Sequence, residues 1–270
     1  MRNLGYACIN MTLRKKNITT NRGMIKRTFK QKGIKYASEL GIQNVRDLIE
    51  IIKWNHKNNI NFFRTTSNLF PWASEYNVLV SPKEHVVENT IRDLSIHGEV
   101  FDMMGLSQTP YNKLNIHCNG VYGDKQSAMD RFCTNFERLP YSVQSRLTVE
   151  NDDKASMYSV KDLMYIHNRI GIPIVFDYHH HKFNTGGLTE KEALELAMTT
   201  WPDGIVPVVH YSESKALHED NPKIKPQAHS DFISDTIRTY GNEVDVMVES
   251  KMKELTIMDY RKANLAENAL

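Results

Sequence analysis

Along most of the chain, short runs of apolar residues alternate with longer stretches in which the apolar residues have helical spacing. The apolar runs predict seven strands, at residues 4–8, 62–67, 114–119, 147–151, 173–178, 207–212 and 245–250. Between these runs, apolar residues recur every three or four positions. One such stripe, expected to face the core, is formed by Val45, Leu48, Ile49 and Ile52. Strands that alternate with helices are typical of a parallel α/β fold, because parallel strands need a crossover connection.

Chain length and strand number favour a TIM-type (β/α) barrel that forms a single domain over residues 1–270. Such a barrel has eight βα units in about 250 residues, whereas this chain of 270 residues predicts seven strands. The shortfall lies near residues 74–80, where there is no room for the roughly 30 residues of one more unit. We therefore expect an α/β barrel that lacks one βα unit at this point.

Composition narrows the class of protein. The chain is 40% hydrophobic and 24% charged with a net charge of +2, so bulk charge neither indicates nor excludes a nucleic-acid partner. Cys8, Cys118 and Cys133 are too few and too scattered for a disulfide framework. No apolar run approaches the ~20 residues of a membrane span, and no secretory signal precedes the first strand. These features predict a soluble intracellular protein, cytoplasmic or nuclear, with no membrane partner and a monomer as its simplest state.

Metal-binding side chains stand at the ends of five predicted strands. They are His117, Glu150, Asp177, His180, His210 and Glu249. The carboxyl ends of barrel strands meet at one mouth, where barrel active sites lie. Burying such groups costs several kcal/mol unless partners satisfy them, so five strands with this feature indicate a ligand cluster. Imidazoles and carboxylates without thiolates favour Mn²⁺, Zn²⁺ or Fe²⁺.

The number of candidate ligands exceeds what one tetrahedral ion uses, which indicates a cluster of two or three divalent ions. Such a cluster suits phosphodiester hydrolysis, because one ion generates hydroxide while the others hold the phosphate and the leaving oxygen. Within the segment His179–His181, the middle residue is the preferred ligand, and its neighbours are left to support the ligands or to contact DNA.

The residues leave two further features open. Asp152 and Asp153 either support the ligands or cap the helix that begins near Ser159, and we slightly favour the cap. A basic run either contacts phosphates or forms an ordinary solvated loop. Its members are Lys15, Lys16, Arg22, Lys26 and Arg27.

Several segments resemble the UV-damage endonuclease family, in the wider group of barrels that includes apurinic-site endonucleases and sugar isomerases. In the family's order they are LGYACINMTL, FFRTTSNLFPWAS, SPKEHVVENTIRDLSIHGEVFDMMGL, NIHCNGVYGDKQSAMDRF, RLTVENDD, IPIVFDYHHHKFN, VVHYSES, AHSDFI and DVMVESKMKE. The resemblance implies a DNA repair hydrolase that nicks damaged double-stranded DNA on the 5′ side of UV photoproducts and other lesions. It also implies a cluster of divalent ions, commonly Mn²⁺, with Zn²⁺ or Mg²⁺ as alternatives.

Matched by motif position, the resemblance implies the same metal ligands and adds one. The full set is His117, Glu150, Asp177, His180, His210, His229 and Glu249. Within this set we assign catalysis to Glu150, Asp177, His210 and Glu249. The implied substrate contacts are Tyr6, Asn10 and Tyr76. From the residues alone, Tyr6 reads equally well as a buried aromatic and Asn10 as a turn former.

Two departures from the family's pattern bear on activity. A strand with an HPGQ-type motif, its preceding helix and its His are missing before Ser81, and a Lys expected two residues before His210 is Val208. A His that follows the LFPWAS-like segment in the family is also missing. Three interpretations stay open: an inactive relative that binds damaged DNA without cutting it, an enzyme with a rearranged site, or a sequence with an internal gap. A metal-dependent sugar isomerase is a further alternative that rests on fold analogy alone.

Overall fold

Seven β-strands lie at the positions that the apolar runs predict. The computed structural model describes residues 3–23, 26–65 and 78–267, apart from the side chains of residues 26 and 264–267. Within these ranges the strands are β1 Leu4–Ala7, β2 Phe63–Arg64, β3 Leu114–His117, β4 Leu147–Glu150, β5 Ile174–Asp177, β6 Val208–Tyr211 and β7 Asp245–Val248. Every strand pair with a defined register runs parallel. The predicted α/β class of the TIM type is confirmed.

Helices lie between most of the described strands. They are α1 Met11–Arg14, α2 Lys26–Lys57, α3 Glu84–Met103, α4 Lys125–Phe136, α5 Tyr141–Gln144, α6 Val160–Ile170, α7 Tyr178–His181, α8 Glu190–Met198 and α9 Glu254–Glu267. Local sequence sets several of their ends. Ser159 and Asp162 form a capping box at the start of α6, and Gly171 ends that helix with a φ of 71°. No helix in the described ranges has both the length and the hydropathy that a bilayer-spanning segment requires.

The chain divides into two compact units. Unit 1 comprises Met1–Ala73, His210–Thr239 and Glu243–Leu270, and unit 2 comprises Ser74–Val209 and Tyr240–Asn242. In unit 1 the strand order is β2-β1-β7-β6, and in unit 2 it is β6-β5-β4-β3. Strand β6 contributes to both because the division falls between Val209 and His210. A single domain over residues 1–270 stays a prediction.

The region near residues 74–80, where one βα unit was expected to be missing, lies partly outside the described residues. Of the described part, Leu79 and Val80 are fully buried and belong to no strand. Their carbonyls accept hydrogen bonds from Asn135 at 2.8 Å and Arg131 at 2.7 Å, both on α4. In the described residues, therefore, the chain reaches α3 through an anchored turn and without a further strand.

Helix α2 buries a different face from the one that the sequence predicted. Of the expected stripe, only Leu48 is buried, and Val45, Ile49 and Ile52 are exposed. The buried positions are Ala37, Asn44, Leu48, Ile51 and Asn55. Two hydrogen bonds explain why α2 turns this face inward. Asn44 donates to the Arg22 carbonyl at 2.9 Å, and Asn55 accepts from the Tyr6 hydroxyl at 2.7 Å. Both stripes have helical spacing, and the two amides decide between them.

A buried arginine organises unit 2 around the end of α3. The side chain of Arg146 is 0% exposed and donates to the carbonyls of Leu106 at 2.6 Å and Ser142 at 2.8 Å. Its guanidinium also pairs with Asp102 at 2.8 Å. The guanidinium thus links the loop after α3 to α5 through donors that only this side chain supplies in these contacts.

We therefore expect Arg146→Met to lower the free energy of unfolding by about 2–4 kcal/mol, because it leaves several backbone acceptors without their donor. Arg138→Met is the matched control, since Arg138 pairs with Glu84 at the surface and its loss should cost about 1 kcal/mol or less. Urea denaturation of both variants measures the difference. Equal losses in the two variants would contradict a structural role for the buried guanidinium.

Candidate metal centre

Four of the predicted ligands lie together at the carboxyl ends of the strands of unit 2. His117 and Glu150 are partners in the parallel β3–β4 register. The β4–β5 register pairs Glu150 with Val175, two residues before Asp177. Asp177 then caps α7 by accepting a hydrogen bond from the His180 backbone N–H at 2.8 Å. Strand register and one tight cap thus bring the four side chains to the same edge.

Glu150 is the centre of this group. Its Oε1 lies 3.3 Å from Nδ1 of His180 and 3.7 Å from Nε2 of His117, and its Oε2 accepts from the Asn115 amide at 2.5 Å. One ligand atom each of His117, Glu150 and His180 lies within 4.8 Å of the others, and the same holds for Glu150 and Asp177. Two carboxylates and two imidazoles this close are a donor set that suits Mn²⁺, Zn²⁺ or Fe²⁺. The residues of unit 2 therefore fit a divalent metal ion.

A hydrogen bond at His180 and an ion pair at His117 orient the two imidazole rings toward that use. Nδ1 of His117 lies 3.1 Å from Oδ1 of Asp152, and Nδ1 of His180 lies 2.9 Å from the Asn151 carbonyl. In a neutral ring, a donor at Nδ1 leaves the lone pair at Nε2, which is the arrangement that metal-binding histidines adopt. The expectation that Asp152 caps the next helix is wrong, because Ser159 caps α6 and Asp152 faces His117.

The electrostatics of the group favour a positive charge. Burial alone would lower the pKa of His117, but the carboxylates of Glu150 and Asp152 outweigh it and raise that pKa to about 10. At His180, burial again acts downward, and the charges of Asp177 and Glu150 raise the pKa above its ordinary value. The buried carboxylates thus favour a positive charge beside them. When no other cation is bound, protons on the two imidazole rings supply that charge.

The other strand-end ligands belong to unit 1 and are arranged differently. Oε1 of Glu249 lies 3.4 Å from Nδ1 of His210 and 2.5 Å from Nη2 of Arg64. Nη1 of Arg64 lies 3.3 Å from Nε2 of His210. Burial lowers the pKa of the nearby Lys253. In unit 1, therefore, the predicted ligands already contact a permanent cation.

The remaining predicted residues fall into three situations. His229 forms an antiparallel bridge with Ser214, so the backbone places it near the end of β6. Tyr76 lies outside the described residues. His179 and His181 are buried, where His179 packs edge-on against Phe183, so they contribute to the interior of unit 2.

Tyr6 and Asn10 are both fully buried and belong to one hydrogen-bond network of unit 1. The Asn10 amide donates to the Tyr6 hydroxyl at 2.9 Å, and that hydroxyl donates to Asn55 at 2.7 Å. Asn10 also caps α1, whose first backbone N–H groups donate to Glu254. Burial raises the pKa of Tyr6 well above its ordinary range, so the phenol stays protonated. The aromatic and turn-forming interpretations of these two residues describe their structural roles, and their contact with substrate stays a prediction.

Sequence reasoning missed three residues of these sites. Asn151 forms a reciprocal pair with the Asp177 backbone, with its amide donating at 3.0 Å and its Oδ1 accepting at 2.8 Å. Asn115 and Arg64 hold the carboxylates of Glu150 and Glu249. All three stand at or beside strand ends, so a search that included amides and cations as well as metal ligands would have found them.

Comparison with known proteins identifies the family of this chain. The family model described as UV-endonuclease UvdE matches residues 2–76 and 73–269. The UV-damage endonuclease of Schizosaccharomyces pombe is 35% identical, over 95% of this chain and 49% of that protein. The corresponding values for the UV-damage endonuclease of Neurospora crassa are 29%, 84% and 41%. The UV DNA damage endonuclease of Bacillus mycoides is 28% identical over 80% of this chain and 79% of its own length.

The chain thus spans about half the length of the two fungal relatives. The alignment with the S. pombe protein runs over 301 positions, more than the 270 residues of this chain, so that relative has residues without a counterpart here. The two segments that match the family model meet at residues 73–76, beside the predicted missing unit.

Solved structures support the same conclusion. SacUVDE matches with a TM-score of 0.82 and 28% identity over 100% of both chains. The 3-keto-D-glucoside 4-epimerase YcjR of E. coli matches with a TM-score of 0.55 and 10% identity, which shows the fold alone. With its motifs, its fold and both segments of the family model in agreement, this chain belongs to the UV-endonuclease UvdE family.

Proposed function

We propose that this chain is a metal-dependent endonuclease that cuts double-stranded DNA on the 5′ side of UV photoproducts and other lesions. The observation that carries the proposal is the close group of His117, Glu150, Asp177 and His180, in which both carboxylates are buried, in a chain of this family. Relatives with the name UV-damage endonuclease support the substrate. The proposal implies an intracellular compartment that contains DNA, cytoplasm or nucleus, and a monomer suffices for it.

The residues of unit 2 would hold a divalent ion, with Mn²⁺ proposed and Zn²⁺ or Mg²⁺ as alternatives. When bound, such an ion acts as a Lewis acid and lowers the pKa of coordinated water. Glu150 and Asp177 supply the negative charge that retains it, and the rings of His117 and His180 present Nε2. Asp152 and the Asn151 carbonyl keep those rings in place.

Recognition of the lesion is proposed to rest on the weakened stacking of damaged bases, which lowers the cost of extruding them. Tyr6, Asn10 and Tyr76 stay the proposed contacts. Because Asn55 holds the Tyr6 hydroxyl, contact with DNA would require the network of Tyr6 and Asn10 to open. The catalytic roles of His210 and Glu249 likewise stay predictions.

The first test is nicking of a UV-irradiated duplex in the presence of Mn²⁺. We expect cleavage of irradiated DNA, loss of cleavage with EDTA, and a rate at least about 100-fold lower for Glu150→Gln, which removes a charge but keeps the shape. His85→Ala is the control, because His85 is exposed on α3. Equal cutting of irradiated and intact DNA would contradict the proposal. Binding without nicking would support the inactive relative.

A second prediction concerns the support of His117. Asp152→Asn should weaken Mn²⁺ binding by about 10–100-fold, because a neutral amide oxygen holds the ring at Nδ1 less strongly than a carboxylate does. Asp153→Asn is the matched control, since it removes the same charge one position further along the chain. Mn²⁺ titrations followed by electron paramagnetic resonance measure both affinities. Equal affinities for both variants and the wild type would show that Asp152 does not support a metal ligand.

A third prediction concerns the basic run, in which Lys15 and Lys16 are exposed while Arg22 pairs with Asp47 at 2.7 Å. Lys15→Gln/Lys16→Gln should weaken binding to irradiated and intact duplexes alike and reduce the salt slope by about two. The exposed pair Lys223→Gln/Lys225→Gln is the charge-matched control.

Fluorescence anisotropy at several salt concentrations measures these slopes. Arg22→Gln should instead lower thermal stability, because its guanidinium also donates to the Thr19 carbonyl at 2.6 Å. A control pair with the same slope change as Lys15 and Lys16 would contradict a specific phosphate contact and indicate a nonspecific charge effect.

A further inference from the structure

The loop between β3 and α4, residues 118–124 of unit 2, has a strained backbone. Its residues with φ angles between 48° and 85° are Asn119, Gly120, Tyr122 and Gly123. Glycine adopts this region freely and asparagine tolerates it, whereas a bulky side chain there is an outlier. The conformation of Tyr122, with a φ of 50°, is therefore the one that backbone preference does not explain.

Burial does not compensate for this conformation, because Tyr122 is 49% exposed. Its ring lies over Gly120, where an added Cβ would come within 2.9 Å of a ring carbon, and the guanidinium of Arg131 lies 5.9 Å from the ring centroid. That guanidinium is fixed in turn, since its Nε donates to the Val80 carbonyl at 2.7 Å. These contacts hold the ring in place and leave about half of the residue open to solvent. Strain kept at an exposed position indicates that the side chain is used.

The loop shares a set of hydrogen bonds with His117, a predicted metal ligand. The Tyr158 hydroxyl donates to the Gly120 carbonyl at 2.8 Å, and the Tyr158 carbonyl accepts from the Asp152 backbone N–H at 2.8 Å. Oδ1 of Asp152 lies 3.1 Å from Nδ1 of His117. The same residues thus fix the imidazole and the loop that carries Tyr122, at the carboxyl ends of the strands where barrel active sites lie.

We propose that Tyr122 is a further substrate contact, whose ring stacks on a base that a lesion leaves poorly stacked in the DNA helix. The inference rests on the proposed function, because it assigns that function one more contact with DNA. An aromatic ring stacks on any base, and a ring that is already held in place loses little freedom on binding. The nearby guanidinium of Arg131 adds a positive charge that favours DNA phosphates.

The test is binding of the full chain to a duplex with one UV photoproduct and to the intact duplex, measured by fluorescence anisotropy in EDTA to prevent cleavage. Tyr122→Ala should weaken binding to the damaged duplex by about 5–100-fold. Its effect on the intact duplex should be less than about 2-fold, because intact bases stay stacked on one another. Tyr141→Ala is the matched control, since Tyr141 is 69% exposed on α5, and it should bind both duplexes as the wild type does.

Two substitutions of the same residue identify the group that makes the contact. Tyr122→Phe keeps the ring and should bind the damaged duplex within about 2-fold of the wild type, whereas Tyr122→Leu should bind as weakly as Tyr122→Ala. A Tyr122→Phe variant as weak as Tyr122→Ala would assign the contact to the hydroxyl and contradict stacking. A Tyr122→Leu variant as strong as Tyr122→Phe would also contradict it.

Thermal unfolding separates this contact from a structural role. Tyr122→Asn should unfold at a temperature no lower than the wild type, because asparagine tolerates a positive φ, and should bind the damaged duplex as weakly as Tyr122→Ala. Lower unfolding temperatures for both variants would assign the ring to loop stability and contradict the inference. A wild type that binds both duplexes equally contradicts the proposed function and the inference with it. A wild type that prefers the damaged duplex, beside an equally strong Tyr122→Ala variant, contradicts the inference alone.

Discussion

A carboxylate buried at the end of an apolar strand must meet a positive charge or a set of donors, and both sites depend on this constraint. The side chains of Glu150 and Asp177 are 4% and 0% exposed. Desolvating each costs several kcal/mol unless neighbours compensate. Unit 2 meets the demand with Asn115, the backbone of α7 and two imidazoles whose pKa values are raised. Unit 1 meets it at Glu249 with a guanidinium.

Strand register determines which side chains meet these buried carboxylates. Neighbouring parallel strands place paired residues side by side at one edge of the sheet, so the β3–β4 register alone brings His117 beside Glu150. Asn151 then fixes the neighbouring strand through its reciprocal bonds with the Asp177 backbone. The short helix α7 begins at once, because Asp177 caps it, and its first turn delivers His180. Sequence positions far apart thus form one group through ordinary strand and cap rules.

Much of this was predictable from the sequence, and the exceptions have physical reasons. Runs of apolar residues mark strands whatever their tertiary partners, so all seven strands and the polar side chains at their ends could be predicted. The buried face of α2 could not, because Asn44 and Asn55 are polar and hydropathy ranks them below Val45 and Ile49. Buried polar groups find their hydrogen-bond partners on other helices, strands or loops, so the local sequence pattern does not show which polar residues are buried.

For the charged residues Arg64 and Asp152, the local sequence likewise does not show the partner. Each stands close to a predicted strand end, but each acts through a partner more than thirty positions away, His117 for Asp152 and Glu249 for Arg64. Spacing along the chain therefore gave Asp152 the role of a cap and gave Arg64 no role.

The two kinds of cation have different chemical consequences. A proton on an imidazole exchanges with a metal ion, because both bind the same lone pair, so the group in unit 2 is open to metal. A guanidinium stays charged at every physiological pH but does not acidify water as a metal ion does, so it neutralises Glu249 without generating a nucleophile. A divalent ion held by His117, Glu150, Asp177 and His180 would supply the hydroxide for the proposed hydrolysis. The contacts of Arg64 show a fixed positive charge beside Glu249 and His210, and such a charge suits an anionic substrate.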